Sequence, residues 1–184
     1  MMRRCLYILL AAAFAAGCSN SQDNAVPRRY AYPRIAPCDT ARRELSLPPF
    51  TFTASASATM SEPNPGWMDL SYGMYGVKVH LSALTFADSA ETARAIDNRY
   101  RRINLNFGDA GAIAKKFVNL SGVACMIAGT PDAGSSPISI LAVRDNSVLS
   151  GAAVFEGNIR PVDSIAPIYR AVYDDLYTLL ESLR

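Results

Sequence analysis

Four apolar segments of strand length, residues 116–120, 123–128, 138–143 and 148–155, follow one another late in this chain. The connections between them are short. Residues 130–137 are rich in Gly, Ser and Pro and read as a hairpin loop, and Asp145-Asn146 reads as a tight turn. A parallel crossover takes about a dozen residues or more, so these neighbours are expected to be antiparallel. The last three segments are apolar on both alternating sets, which suits central strands covered on two faces.

The same period appears earlier. Residues 50–56 alternate and can form a first strand, 60–66 form a turn-rich break, and 67–72 and 75–81 read as strands. In the last of these, Val77, Val79 and Leu81 share one face and Lys78, His80 and Ser82 the other. The period then changes. Asp88 can cap a helix, with Glu91 three residues on as its capping-box partner. Ala93, Ile96, Tyr100 and Ile103 follow at helical spacing. Arg99, Arg101 and Arg102 read either as an anion site or as a solvated helix face. A final helix has Asp163 as its N-cap and Pro167 in its first turn. Its apolar stripe is Ile165, Ile168, Val172, Leu176, Leu179 and Leu183, with Asp174, Asp175 and Glu181 on the outer face. The expected fold is α+β: an antiparallel sheet with two long helices packed on it.

A different grammar governs the beginning. Arg3 and Arg4 precede an apolar run of 12 residues, and Ala15-Ala16-Gly17-Cys18 closes it. A bilayer span takes about 20 apolar residues, so this run suits an export signal that is removed. The pattern resembles a lipobox, with Ala15 where Leu is usual. Residues 1–17 would then be the signal peptide and Cys18 the lipidated first residue of the mature chain. An ordinary secretory signal cut near Gly17, leaving Cys18 a free thiol, is the alternative. Residues 18–49 read as a tether, polar and punctuated by Pro27, Pro33, Pro37, Pro48 and Pro49. Its Arg28, Arg29, Arg34, Arg42 and Arg43 suit anionic headgroups or simple solvation. The folded domain is expected over residues 50–184.

Charge and cysteine usage narrow the function classes. The chain holds 18 basic and 16 acidic residues. Removing Arg3 and Arg4 with the signal leaves the charges balanced, so nothing argues for a nucleic-acid partner. The protein is expected at a membrane only through its acyl anchor, on the periplasmic face. Cys38 and Cys125 remain in the exported part; they can pair as a disulfide, or Cys125 can stay buried and free. No cysteine or histidine spacing suggests a metal, and no cofactor is implied. A Ser-His-Asp site would have to use His80, the single histidine. Adjacent Asp174 and Asp175 point about 100° apart on a helix, a poor acid/base dyad. A glycan hydrolase would need carboxylates about 5–9.5 Å apart, and no pair stands out. The expectation is a non-enzymatic protein.

The ordered segments together resemble the gliding-motility lipoprotein family GldD of the Bacteroidetes. The match is fullest from Leu149 to Leu183. It includes a Gly-small-aromatic strand over 151–155, Arg160-Pro161, Asp163-Ser164-Ile165-Ala166-Pro167 and an acidic-apolar helix through Glu181. Tyr32-Pro33-Arg34-Ile35, Pro49-Phe50-Thr51-Phe52, Trp67, Val79-His80-Leu81-Ser82 and residues 110–113 match in order. Pro48 or Pro49 and Gly66 stand where the family carries cysteines, residues 54–58 replace an aromatic pair, and a C-terminal Trp is missing. The resemblance implies a non-enzymatic envelope component whose partners are proteins of motility or surface-protein secretion. In that lineage Asp-Ser/Thr followed by a small or aliphatic residue can be O-glycosylated. Asp39-Thr40-Ala41, Asp88-Ser89-Ala90 and Asp163-Ser164-Ile165 fit, and Thr40 is the candidate that no helix cap explains. Tyr72, Tyr75, Trp67 and Phe86 are candidate contact aromatics, or else core. The competing function is a lipoprotein that binds a small ligand or lipid, with Ala124, Ala128, Ala152 and Ala153 leaving room beneath a helix.

Overall fold

The computed structural model describes residues 41–107, 113–120, 122–130, 137–156 and 162–184, with the side chains of Asn106 and of residues 162–166 outside the description. The described residues form nine strands and two helices: β1 (Arg42–Leu47), β2 (Phe50–Ser55), β3 (Thr59–Ser61), β4 (Trp67–Tyr72), β5 (Val77–Thr85), α1 (Ser89–Phe107), β6 (Ala114–Leu120), β7 (Val123–Gly129), β8 (Ile138–Arg144), β9 (Ser147–Phe155) and α2 (Val162–Glu181). Strands β3 to β9 form one antiparallel sheet of order β3-β4-β5-β9-β8-β7-β6. The four apolar segments make a meander that starts at the far edge and returns to pair β9 with β5. Asp145, at φ 52°, makes the two-residue turn between β8 and β9. Its short polar side chain tolerates that left-handed geometry.

Alternation sorts the side chains onto two faces. On the first, Val79, Leu81, Ile127, Ile140 and Leu149 are buried against Ile168, Val172, Leu176 and Leu179 of α2. A fully buried side chain of this kind stabilises by about 1.5–3 kcal/mol, so this face anchors the fold. Gly151 belongs to it for want of room: a Cβ there would stand 2.6 Å from Leu81 Cδ2 and 3.0 Å from Ile140 Cγ1. The second face packs Met126, Leu141 and Val148 against Ile103 and Phe107 of α1. The two helices therefore cover opposite faces of one sheet.

Residues 42–47, read above as part of the tether, fold as β1. It pairs with β2 around Pro48-Pro49, whose peptide bond is cis. Leu45 and Leu47 alternate into the same core as Phe50 and Phe52, which is why the segment orders. The folded part thus starts before residue 50. Arg42 and Arg43 have protein partners: Arg42 pairs with Asp175 and donates to Thr53 O at 2.8 Å, and Arg43 donates to Ala58 O at 2.6 Å. Within the turn-rich stretch 60–66, β3 adds a three-residue edge strand that begins at Thr59.

Asp175 corrects a second expectation. It is 3 % exposed, not on the outer face of its helix. One carboxylate oxygen takes Arg42 and the other accepts the Tyr72 hydroxyl at 2.5 Å, so burial is compensated by charge and hydrogen bonds. Asp174 beside it is exposed. The helix begins at Val162, so Asp163 falls inside it instead of capping it. The chain end is also secured: Thr51 N donates to Arg184 O at 3.1 Å and Arg184 N to Thr51 O at 2.9 Å.

Candidate functional site

α1 starts as its sequence indicates. Asp88 Oδ1 accepts from Glu91 N at 2.8 Å, while Glu91 Oε2 accepts from Ala87 N at 3.3 Å. Its buried face, however, runs through Thr92, Ala95, Ile103 and Phe107, with Ala93 exposed. Arg99 lies on that inward side and is half-buried. It donates from Nε to Ser150 Oγ at 2.8 Å, so it is not part of a fully solvated face. Burial first, and the neighbouring Arg102 charge second, push its guanidinium below the ordinary value.

α1 covers only part of the second sheet face. Beside it lies a cleft of about 600 Å³, in the size range of small-molecule sites. Its floor is set by register. Trp67, Ser82 and Ser150 lie across β4, β5 and β9 in one row, and His80, Ala152 and Ser139 across β5, β9 and β8 in the next. Arg99 and Arg102 form the helix wall. Ser82 and Ser150 share a hydrogen bond of 2.9 Å. Ser139 is 1 % exposed, and among the described residues its hydroxyl has no hydrogen-bond partner. Trp67 stands at the rim, 48 % exposed.

His80 meets Asp69 across the β4–β5 pair, Nδ1 to Oδ1 at 2.7 Å. The histidine is therefore held through Nδ1, and His80 also lines the cleft. No hydroxyl bonds to it among the described residues, so the pair is not completed as a nucleophilic triad. His80 is exposed on the less apolar face, where its alternation places it. Of the four candidate aromatics, Tyr72 and Tyr75 are buried, Phe86 is half-buried, and Trp67 alone stays exposed.

Cys125 is a buried free thiol, 4 % exposed, whose Sγ lies 3.7 Å from Val123 O. Burial pushes it up from 9.0 to about 11. Cys38, Cys18 and Thr40 lie outside the described residues. Ser89 is exposed at the start of α1. Among the described residues, no group of three or more His, Cys, Asp or Glu is placed to hold a metal. No helix among them is long and apolar enough to cross a membrane. No protein-family model matches the chain, and no curated protein matches it.

Of the arginines that the sequence marks as an anion site or a solvated face, Arg99 and Arg102 line the cleft and Arg101 does not. Arg99 follows Ala95 by four residues and precedes Ile103 by four, so it lies on the buried stripe. That spacing was the available signal.

Proposed function

We propose that this chain is an acyl-anchored envelope lipoprotein, held through Cys18, whose α+β domain acts as a non-enzymatic binding component. The resemblance to the GldD family supports a place beside motility or surface-protein secretion machinery on the periplasmic side. The observation that carries the binding reading is the cleft itself. A sheet face buried by a helix at one end stays open at the other, and it presents Trp67 where an exposed aromatic has no core to serve.

The test is in-cell crosslinking followed by purification of the full protein from detergent-solubilised membranes. Recovery of envelope proteins by the wild type, lost with Cys18→Ala, supports an anchored assembly component. Equal recovery with Cys18→Ala removes the anchor from the reading, and recovery of the protein without partners removes the assembly role.

A second reading, a lipoprotein binding a small ligand or lipid, is favoured by the depth of the cleft and the unpartnered Ser139 hydroxyl at its floor. Of the small residues read from the sequence, Ala152 lines the cleft, while Ala124, Ala128 and Ala153 do not.

A further inference from the structure

We infer that the cleft between α1 and the second sheet face binds an oxyanion, phosphate or carboxylate, carried on a small ring-bearing molecule. This rests on the binding-module reading and names the ligand class for that site.

The cleft walls hold two guanidiniums and no carboxylate. Of the acids on the flanking elements, Asp69 is taken up by His80 at 2.7 Å and Asp97 by Arg101 at 2.9 Å, while Glu91 accepts from Ala87 N at 3.3 Å at the helix start. Arg102 has no hydrogen bond or ion pair among the described residues, and Arg99 keeps only its Nε occupied, by Ser150. Arg99 is half-buried and carries the exposed charge of Arg102 beside it, which an anion would offset, and guanidiniums suit oxyanions because their donors form a planar fork. The floor supplies the second, independent observation. The Ser139 hydroxyl is buried, lines the cleft and has no partner, so a ligand oxygen reaching the floor would satisfy it. Ser82 and Ser150 share one hydrogen bond, which uses one hydroxyl proton and leaves the other to donate to a ligand oxygen.

The body of the ligand is set by Trp67. Trp67 and Ser150 lie two strands apart in one row, so their backbones stand about 10 Å apart along the cleft floor. A six-membered ring stacked on the indole would place a substituent at the guanidiniums. His80, held at Nδ1 by Asp69, lines the same cleft and is the polar group available to ring hydroxyls. A sugar phosphate or sugar acid has these parts, and so does the glycosylated or phosphorylated headgroup of a lipid.

The experiment is calorimetric titration of the full-length protein in detergent. The probes are glucose 1-phosphate, glucuronate, glucose, inorganic phosphate and dihexanoyl phosphatidylglycerol below its micellar concentration. Glucose 1-phosphate or glucuronate should bind at least about tenfold tighter than glucose, the size of effect a charge-assisted pair supports. Arg99→Gln with Arg102→Gln should abolish that preference. Ser139→Ala should weaken binding by roughly threefold or more without lowering the melting temperature, since the hydroxyl it removes has no partner in the free protein. Tighter binding of the phosphatidylglycerol, lost in the arginine variant, assigns the same oxyanion site to a lipid headgroup. Equal binding of glucose and glucose 1-phosphate, binding unchanged in the arginine variant, or no binding of any probe overturns the inference. Those outcomes leave the crosslinked partners as they were, so this inference and the assembly reading fail separately.

Discussion

The Tyr72 hydroxyl on β4 donates to Asp175 on α2 at 2.5 Å, across 103 residues of chain. The same carboxylate holds Arg42 at the start of β1. Three elements distant in sequence therefore meet at one buried charge. Such a pair is weak evidence of net stability, but breaking it leaves a charge uncompensated. Arg42→Ala and Asp175→Ala are each expected to lower the unfolding free energy by about 3 kcal/mol, and Tyr72→Phe by about 1.5 kcal/mol. Urea denaturation checks this, and losses below about 1 kcal/mol for both charge variants would show the cluster to be dispensable.

Gly151→Ala should destabilise by about 1–3 kcal/mol, because the added methyl meets Leu81 and Ile140 in a filled core. Gly73→Ala is the control, with nothing within 4 Å of the added atom. A thermal melt that separates the two variants supports the packing argument. Coincident melts reject it.

Cys125 should react slowly with iodoacetamide. With the thiol pushed up by burial to about 11, the folded protein at pH 8 holds about a hundredfold less thiolate than the unfolded chain at 9.0. Its labelling rate should keep rising with pH up to that higher value. The sign for stability follows. Between the two values the folded state keeps a proton that the unfolded state gives up, so stability falls as pH rises from about 9 to 11. A native labelling rate equal to that in urea contradicts this. Failure of any thiol to label in urea without reductant would reveal a bridge to Cys38 instead.

Trp67 is the single tryptophan, so its fluorescence reports the rim of the cleft alone. At 48 % exposure it should be readily quenched by acrylamide in the folded protein. Glucose 1-phosphate at saturating concentration should reduce that quenching in wild type and leave it unchanged in Arg99→Gln/Arg102→Gln. Protection that persists in the arginine variant would separate the indole from the oxyanion site.

Asp88→Ala should cost about 1 kcal/mol by removing the acceptor for Glu91 N at the start of α1. Asp88→Asn should retain most of that stability. Equal losses in the two variants, measured by urea denaturation, would point to charge and not the cap.

Period-two patterning made most of the sheet legible. β4 was read with its observed bounds, Val77, Val79 and Leu81 with their observed face, and the late segments as an antiparallel meander. β1 was hidden because Arg42, Arg43 and Glu44 mask an alternation that only Leu45 and Leu47 reveal. Asp175 misled for the opposite reason: an acidic residue on a helix is ordinarily solvated, and its partners come from strands far away in sequence. The cleft was the least legible part. A cleft depends on how much of a face a helix leaves uncovered, and that is set by where β5 and β9 meet, which no local pattern records. Arg99 carried a weak trace of it, as a charge standing on an apolar stripe.

The clasp of Arg42 by Asp175 also gives the domain a load path. Force arriving along the chain at Ala41 meets the first residue of β1, and that residue is tied sideways to the C-terminal helix. Just beyond the end of the same helix, Arg184 is stitched to Thr51 near the start of β2. Tension at this point is borne by the Arg42–Asp175 ion pair as well as by the bonds between β1 and β2. A domain wired in this way holds its shape while being pulled from one end.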